Sequence, residues 1–114
     1  MVGFLFLFHF IADFVFQSRQ MGENKSKSFK WLLLHVSTYA AVIGILSFPL
    51  FSNWLAFTVW IVINFYLHLA TDFVTSKLST HFYLKKNMYQ FWNVIGIDQA
   101  IHFTTLYYTF IWLT

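Results

Sequence analysis

The sequence predicts an all-α fold, a four-helix transmembrane bundle, and three observations carry that prediction. The 114 residues are 59% hydrophobic, 24% aromatic and only 10% charged, where an ordinary soluble domain has roughly a quarter of its residues charged. Four apolar stretches, at about residues 2–17, 31–48, 54–75 and 91–113, follow one another with short breaks between them. All seven Lys and Arg residues fall in two of the three breaks.

Taken in order, the stretches differ in how easily they span. A bilayer core needs about 20 helical residues, with a range of about 17 to 25. The third and fourth stretches meet that length. The first is short, so it is expected to tilt little, thin the bilayer locally or begin in the interface. Met1 to Phe8 has no Lys or Arg and is followed by His9 and Asp13, unlike the basic start and unbroken apolar core of a signal peptide, so this stretch is expected to be retained. The first break, Ser18 to Lys30, carries Arg19, Lys25, Lys27 and Lys30. Pro49 ends the second stretch and opens a tight, uncharged turn through Asn53. The last break, Ser76 to Gln90, carries Lys77, Lys85 and Lys86; in it His81 reads as an ordinary loop histidine, and Leu78 to Tyr89 as an interfacial segment.

The positive-inside rule puts both basic breaks in the cytoplasm, with both termini and the Pro49 turn on the far side. Trp31 and Trp92 then mark the inner boundary and Trp54 and Trp112 the outer one. Trp60 is out of place in that scheme and is expected to face lipid or to pack internally. There is no linker or low-complexity tract, so residues 1–114 are expected to form a single integral membrane domain. Without cysteine there is no disulfide, thiolate metal site or cysteine nucleophile. The net charge of +3 is divided between two short segments, a poor surface for nucleic acid and a better one for lipid head groups.

Within the apolar stretches the ionisable residues are misplaced. Asp13, Asp72 and Asp98 are three of the four acidic residues in the chain, and His9, His35, His68 and His102 are four of its five histidines. Each central Asp costs about 2.5 to 3.5 kcal/mol on an insertion scale, so three unpaired ones cost on the order of 8 to 10 kcal/mol, as much as a domain's whole stability. They must be paired, protonated, hydrated or coordinated. Three of the helices carry them in matching pairs four residues apart, His9 with Asp13, His68 with Asp72 and, reversed, Asp98 with His102. That spacing stacks an imidazole and a carboxylate on one helical face.

Counting about 1.5 Å per residue from the basic breaks, His35, Asp13 and Asp72 lie about a turn and a half deep. His9 and His68 lie one turn deeper, with Asp98 and His102 at a similar level. All seven therefore share one slab in the cytoplasmic half, where a four-helix bundle turns them toward a common centre. Asn64 and Gln99 are candidate supporting partners. The segment from His9 to Val15 also echoes His68 to Val74, which fits two parallel helical-hairpin repeats.

Neutral imidazoles and carboxylates are ligands of zinc, and they also suit manganese or iron. Two ions about 3.5 to 4 Å apart, bridged by an Asp, would use the whole set and activate a water. Three other readings of the same residues stay open: structural hydrogen bonds between helices, axial haem ligation by facing histidines, and a relay for protons or ions. No Gly-rich phosphate loop, nucleophile elbow or H-E-x-x-H occurs. The basic loop holding Ser26 and Ser28 serves first for topology and solvation, and second as a holder for an anionic substrate or lipid head group.

The ordered motifs are H-x-x-x-D-F-x-x-Q (His9 to Gln17), M-x-E-N-K-S-K-S (Met21 to Ser28), L-L-L-H (Leu32 to His35), H-x-x-x-D (His68 to Asp72), Lys77 and D-Q-x-x-H (Asp98 to His102). With them the chain resembles, over nearly its whole length, the bacterial and phage membrane proteins grouped as domain of unknown function 3307. The resemblance implies a small integral membrane protein and brings no activity; the bacterial inner membrane is the expected location. A looser likeness links it to inner-membrane proteins classed as metal-dependent hydrolases, which carry His and Asp on membrane helices.

The sequence thus leads to a membrane protein with a His/Asp metal centre near the cytoplasmic face, acting as a hydrolase on a lipid-linked or otherwise membrane-accessible substrate. Some subset of His9, Asp13, His35, His68, Asp72, Asp98 and His102 holds a divalent metal, zinc before manganese or iron. Asp13, Asp72 and Asp98 are the candidate catalytic carboxylates, and whichever of the seven residues does not bind metal is the candidate general base. The rival is a non-enzymatic membrane module, either an ion or proton conductor or a phage or bacterial factor that binds a host membrane protein. Expected partners are the lipid bilayer and a second copy or a host membrane protein, but no nucleic acid.

Overall fold

The computed structural model describes residues 2–114; Met1, the start of the expected 1–114 domain, lies outside them. Among the described residues all regular structure is helical, with five α-helices and no strand. They are α1 (Val2–Phe10), α2 (Arg19–Asn24), α3 (Phe29–Ser47), α4 (Trp54–Leu84) and α5 (Met88–Leu113). A π-helical turn (Ile11–Val15) continues α1, and a short 3-10 turn (Phe48–Leu50) continues α3. The π turn is closed by the Phe16 N–H donating to the Ile11 carbonyl at 3.1 Å, a wider ring than an α-helix makes and one that recurs at functional sites.

Local chemistry explains the boundaries. Pro49 sits in the 3-10 turn where the expected break falls, because it lacks the N–H that would continue α3. Asn53 then caps α4, its Oδ1 accepting from the Leu55 and Ala56 amides at 2.8 and 3.1 Å, a contact that typically contributes about 1 kcal/mol. Ser18 caps α2 and Asn87 caps α5 in the same way. Between Trp54 and Leu84 there is no glycine or proline, and α4 runs unbroken for 31 residues. It therefore continues through the first part of the expected basic loop, and His81 is an exposed helical residue rather than a loop residue.

Two segments, Phe29–Leu50 and Trp54–Leu84, are long and apolar enough to cross a membrane by length and composition, with mean hydropathy 1.7 and 1.5. Gly3–Val15 is a shorter apolar helix. The packing order is a closed ring: α1 lies against α3 and α5, α3 against α4, and α4 most extensively against α5. Short α2 covers the start of α3.

The interior has two layers. At the end near the Pro49 turn, Leu5, Ile43, Trp60, Leu106 and Phe110 form an apolar core with Phe51 packed on it. Trp60 is fully buried there, and its indole N–H donates to the Leu106 carbonyl at 3.3 Å. Of the two roles expected for Trp60, internal packing is the one observed. Toward the other end the buried face turns polar, and on α4 one four-residue stripe carries Trp60, Asn64, His68, Asp72 and Ser76.

The reversal from α4 to α5 is a Schellman arrangement. The Asn87 amide donates to the Phe82 carbonyl and the Lys86 amide to the Tyr83 carbonyl. Lys86 occupies the left-handed position, with φ 58°, where a side chain costs about 1 to 2 kcal/mol. Lys86→Gly is therefore expected to stabilise the fold by about 0.5 to 1 kcal/mol after the added freedom of the unfolded chain is deducted. Thermal unfolding of the purified protein measures this, and an unchanged or lowered midpoint would contradict the strain.

Candidate metal centre

Four helical segments bring their polar residues to one place. The π turn contributes Asp13, α3 contributes His35, α4 contributes His68 and Asp72, and α5 contributes Asp98 and His102. All six are buried. The spacing of four on α4 does what a regular helix dictates, holding His68 Nε2 3.3 Å from Asp72 Oδ2.

The centre of the cluster is a set of four atoms. His35 Nε2 lies 3.1 Å from Asp13 Oδ1, 3.1 Å from Asp72 Oδ2 and 3.2 Å from His68 Nε2. His68 Nε2 lies 3.5 Å from Asp13 Oδ1 and 3.3 Å from Asp72 Oδ2. These are five of the six edges of a tetrahedron. Ligands about 2.0 to 2.1 Å from a tetrahedral ion stand about 3.3 to 3.4 Å apart. Two imidazole nitrogens and two carboxylate oxygens turned on one point also require positive charge between them, either protons or a metal ion. The four residues are thus a group that could hold a metal, and Asp13, Asp98 and His102 are a second such group, with Asp13 common to both.

Around the tetrahedron the contacts are specific. His102 Nε2 is 2.8 Å from Asp72 Oδ1 and 3.2 Å from Asp98 Oδ1. The His68 ring stacks on His102 and meets a tilted Tyr39 ring, with centroids 4.0 Å away in both cases. Among the described residues the His68 Nδ1 and the Asp13 Oδ1 have no hydrogen-bond partner. Thr75 donates to Asp98 Oδ1 at 2.5 Å. Gln99 uses both amide hydrogens, donating to Asp13 Oδ2 and Asp98 Oδ2 at 3.0 Å each.

His9 has a different place from its sequence twin His68. With the Gln99 nitrogen committed to carboxylates, its Oε1 must accept from His9 Nε2, at 2.9 Å. His9 Nδ1, 3.0 Å from the Tyr39 hydroxyl, then accepts. This assignment leaves the ring no lone pair for a cation, and His9 stands outside both metal-capable groups. The π turn is the reason: it breaks the regular four-residue stacking, and His9 Nε2 lies 3.6 Å from Asp13 Oδ2 while Asp13 turns toward His35.

Gln99 is the supporting partner foreseen for it, whereas Asn64 bonds to the Trp60 carbonyl and the Thr109 hydroxyl, away from the cluster. Three participants had gone unremarked in the sequence. Tyr39 stands four residues after His35, and Thr75 three after Asp72, on the same helical faces. Lys25 places Nζ 3.2 Å from Asp72 Oδ2, and no helical spacing points to it because it arrives from the segment between α2 and α3.

A cavity of about 530 Å³ opens onto the cluster, with Asp13, Asp98 and Gln99 on its wall together with Lys25 and Lys27. It lies between the π turn, α2 and the facing parts of α4 and α5.

The chain belongs to the family described as protein of unknown function DUF3307, whose family model matches residues 1–114. No curated protein and no solved structure matches it.

The network sets an order of stabilities. Tyr39→Phe removes the hydroxyl on His9 and leaves a buried ring nitrogen unpaired, an expected loss of about 1 to 3 kcal/mol. Asp72→Asn removes the charge shared by Lys25, His35, His68 and His102 and is expected to cost more, about 3 to 5 kcal/mol. Denaturant unfolding of the two variants checks the order, and equal losses would show that Asp72 is not the hub.

Proposed function

We propose that this family member is a four-helix integral membrane protein whose His/Asp cluster holds a divalent metal ion, zinc before manganese or iron, and hydrolyses a membrane-accessible substrate. The tetrahedral set of His35 Nε2, His68 Nε2, Asp13 Oδ1 and Asp72 Oδ2, with edges of 3.1 to 3.5 Å, carries the reading. The membrane assignment draws support from an inverted distribution of side chains. Among the described residues twelve polar or ionisable side chains are buried against nine hydrophobic ones, while residues such as Leu55, Ile45 and Trp112 are 72%, 76% and 79% exposed. In water such a surface is an association hazard, and in lipid it is the solvated face. Residues 1–114 then form one domain, with the basic segments on the cytoplasmic side of a bacterial inner membrane and both termini opposite.

A divalent ion held by these four residues would supply Lewis acidity, and on giving up one carboxylate oxygen or taking a fifth ligand it would lower the pKa of a bound water toward 7. Asp98 lies beside that set, on the cavity wall, and is held by Thr75 and Gln99. In this reading Asp98 accepts a proton from the water. The water oxygen bonds to the electrophilic atom of the substrate as the bond to the leaving group breaks, and the proton then passes to the leaving group. The apolar layer of Trp60, Leu106 and Phe110 beyond the cluster supports an enzyme over a conductor, because it offers a proton no path.

One contact favours a second reading, the non-enzymatic module. The Lys25 ammonium already brings positive charge to Asp72, so the cluster could serve as a metal-free ion-pair network tying the first basic segment to α4.

Metal analysis separates the two. Purified protein is expected to carry about one equivalent of divalent metal, lost in His35→Ala and His68→Ala and kept in His9→Ala. Replacement by Co2+ should give the intense visible absorption of a tetrahedral site. Wild-type protein free of metal, and unable to take up Co2+, would leave the ion-pair network as the only reading.

A further inference from the structure

The segment between α2 and α3 does more than carry charge. Thr80 on α4 donates to the Ser26 hydroxyl at 3.0 Å, and the Lys27 amide is held by the Asn24 carbonyl at 3.0 Å. That tether fixes Lys25 and Lys27 on either side of Ser26, and both line the cavity of about 530 Å³. Such a volume is in the range of small-molecule sites, about 300 to 1,000 Å³.

The acidic groups on the same wall are already engaged. Glu23 is paired with Arg19 at 2.8 Å, while Asp13 and Asp98 face the cluster's histidines and Gln99. Among the described residues Lys27 has no acidic partner, and Lys25 reaches only Asp72. Gln17 also lines the cavity, and its Oε1 is buried without a partner, an acceptor that a hydroxyl would satisfy. Phe14, Tyr83 and Leu84 line the same space and are 43%, 57% and 73% exposed. One wall is thus cationic and hydrogen-bonding, and the other is apolar and continuous with the outer surface.

We propose that this cavity takes the phosphate-bearing head group of an anionic amphiphile, with Lys25 and Lys27 as its counter-charges and the apolar chain leaving past Phe14, Tyr83 and Leu84. The proposal deepens the functional reading by naming the class of molecule, and rests on it for the lipid surroundings of the chain. Each ammonium offers a phosphate a compact point charge with three hydrogen-bond donors.

The test is calorimetric titration of the full chain in non-ionic detergent micelles with dihexanoyl phosphatidic acid, dihexanoyl phosphatidylcholine and inorganic phosphate. The acid is expected to bind at least about tenfold more tightly than either of the others, and Lys27→Gln, on an exposed residue, to weaken it about tenfold, as does Lys25→Gln. Equal binding of phosphatidylcholine, or unchanged binding in Lys27→Gln, would overturn the head-group site. Inorganic phosphate binding as tightly as the lipid would overturn the amphiphile. Metal content measured on the same sample keeps the two proposals apart. Metal without lipid binding defeats this inference alone, and lipid binding without metal supports it while defeating the metal reading.

Discussion

Two buried carboxylates, Asp13 and Asp72, set the terms for this structure. Each is drawn in by more than one imidazole, and their facing oxygens, with the two Nε2 atoms of His35 and His68, converge on a point that calls for positive charge, from protons or from a metal ion. Every helix that lines the interior answers to that point. α4 supplies two of the four atoms from a single regular stripe, α3 supplies one, and α1 departs from α-helical geometry over Ile11–Val15 to supply the fourth. α5 contributes the surrounding layer, where His102 and Asp98 extend the network to Thr75.

This polar centre is tolerable because the rest of the interior is divided from it. Trp60, Leu106 and Phe110 close the end near the Pro49 turn with a packed apolar layer, while Asp13 and Asp98 line the cavity at the basic end. That asymmetry gives the molecule a chemical face and a structural face. It also places two lysines of the first basic segment at the centre's open side: Lys25 enters the network itself, and Lys27, without an acidic partner among the described residues, lines the adjoining cavity.

Much of the site was legible in the primary structure because helical spacing is local. Once His68 and Asp72 lie four apart in an uninterrupted apolar run, their side chains share a face, and the same holds for Asp98 and His102. The cost of leaving them alone made it a safe expectation that they find partners. The pair His9 and Asp13 shows the limit. Its spacing is identical, yet a π turn separates the two roles, and His9 is spent on Tyr39 and Gln99. The turn has no glycine or proline to announce it. The end of α4 was illegible for a related reason, since the polar residues Ser76, Lys77, Ser79, Thr80 and His81 do not stop a helix that lacks a breaker.

By itself the sequence determined the all-helical class, the break at Pro49 and the set of ionisable residues that had to be satisfied away from water, since each follows from composition, backbone chemistry or spacing within one element. Which of those residues face one another was decided only by the tertiary structure. The distance between His35 and Asp13, the arrival of Lys25 at Asp72 and the burial of Trp60 against Leu106 all depend on how separate helices pack. Packing is a property of pairs of surfaces, and no single stretch of chain contains it.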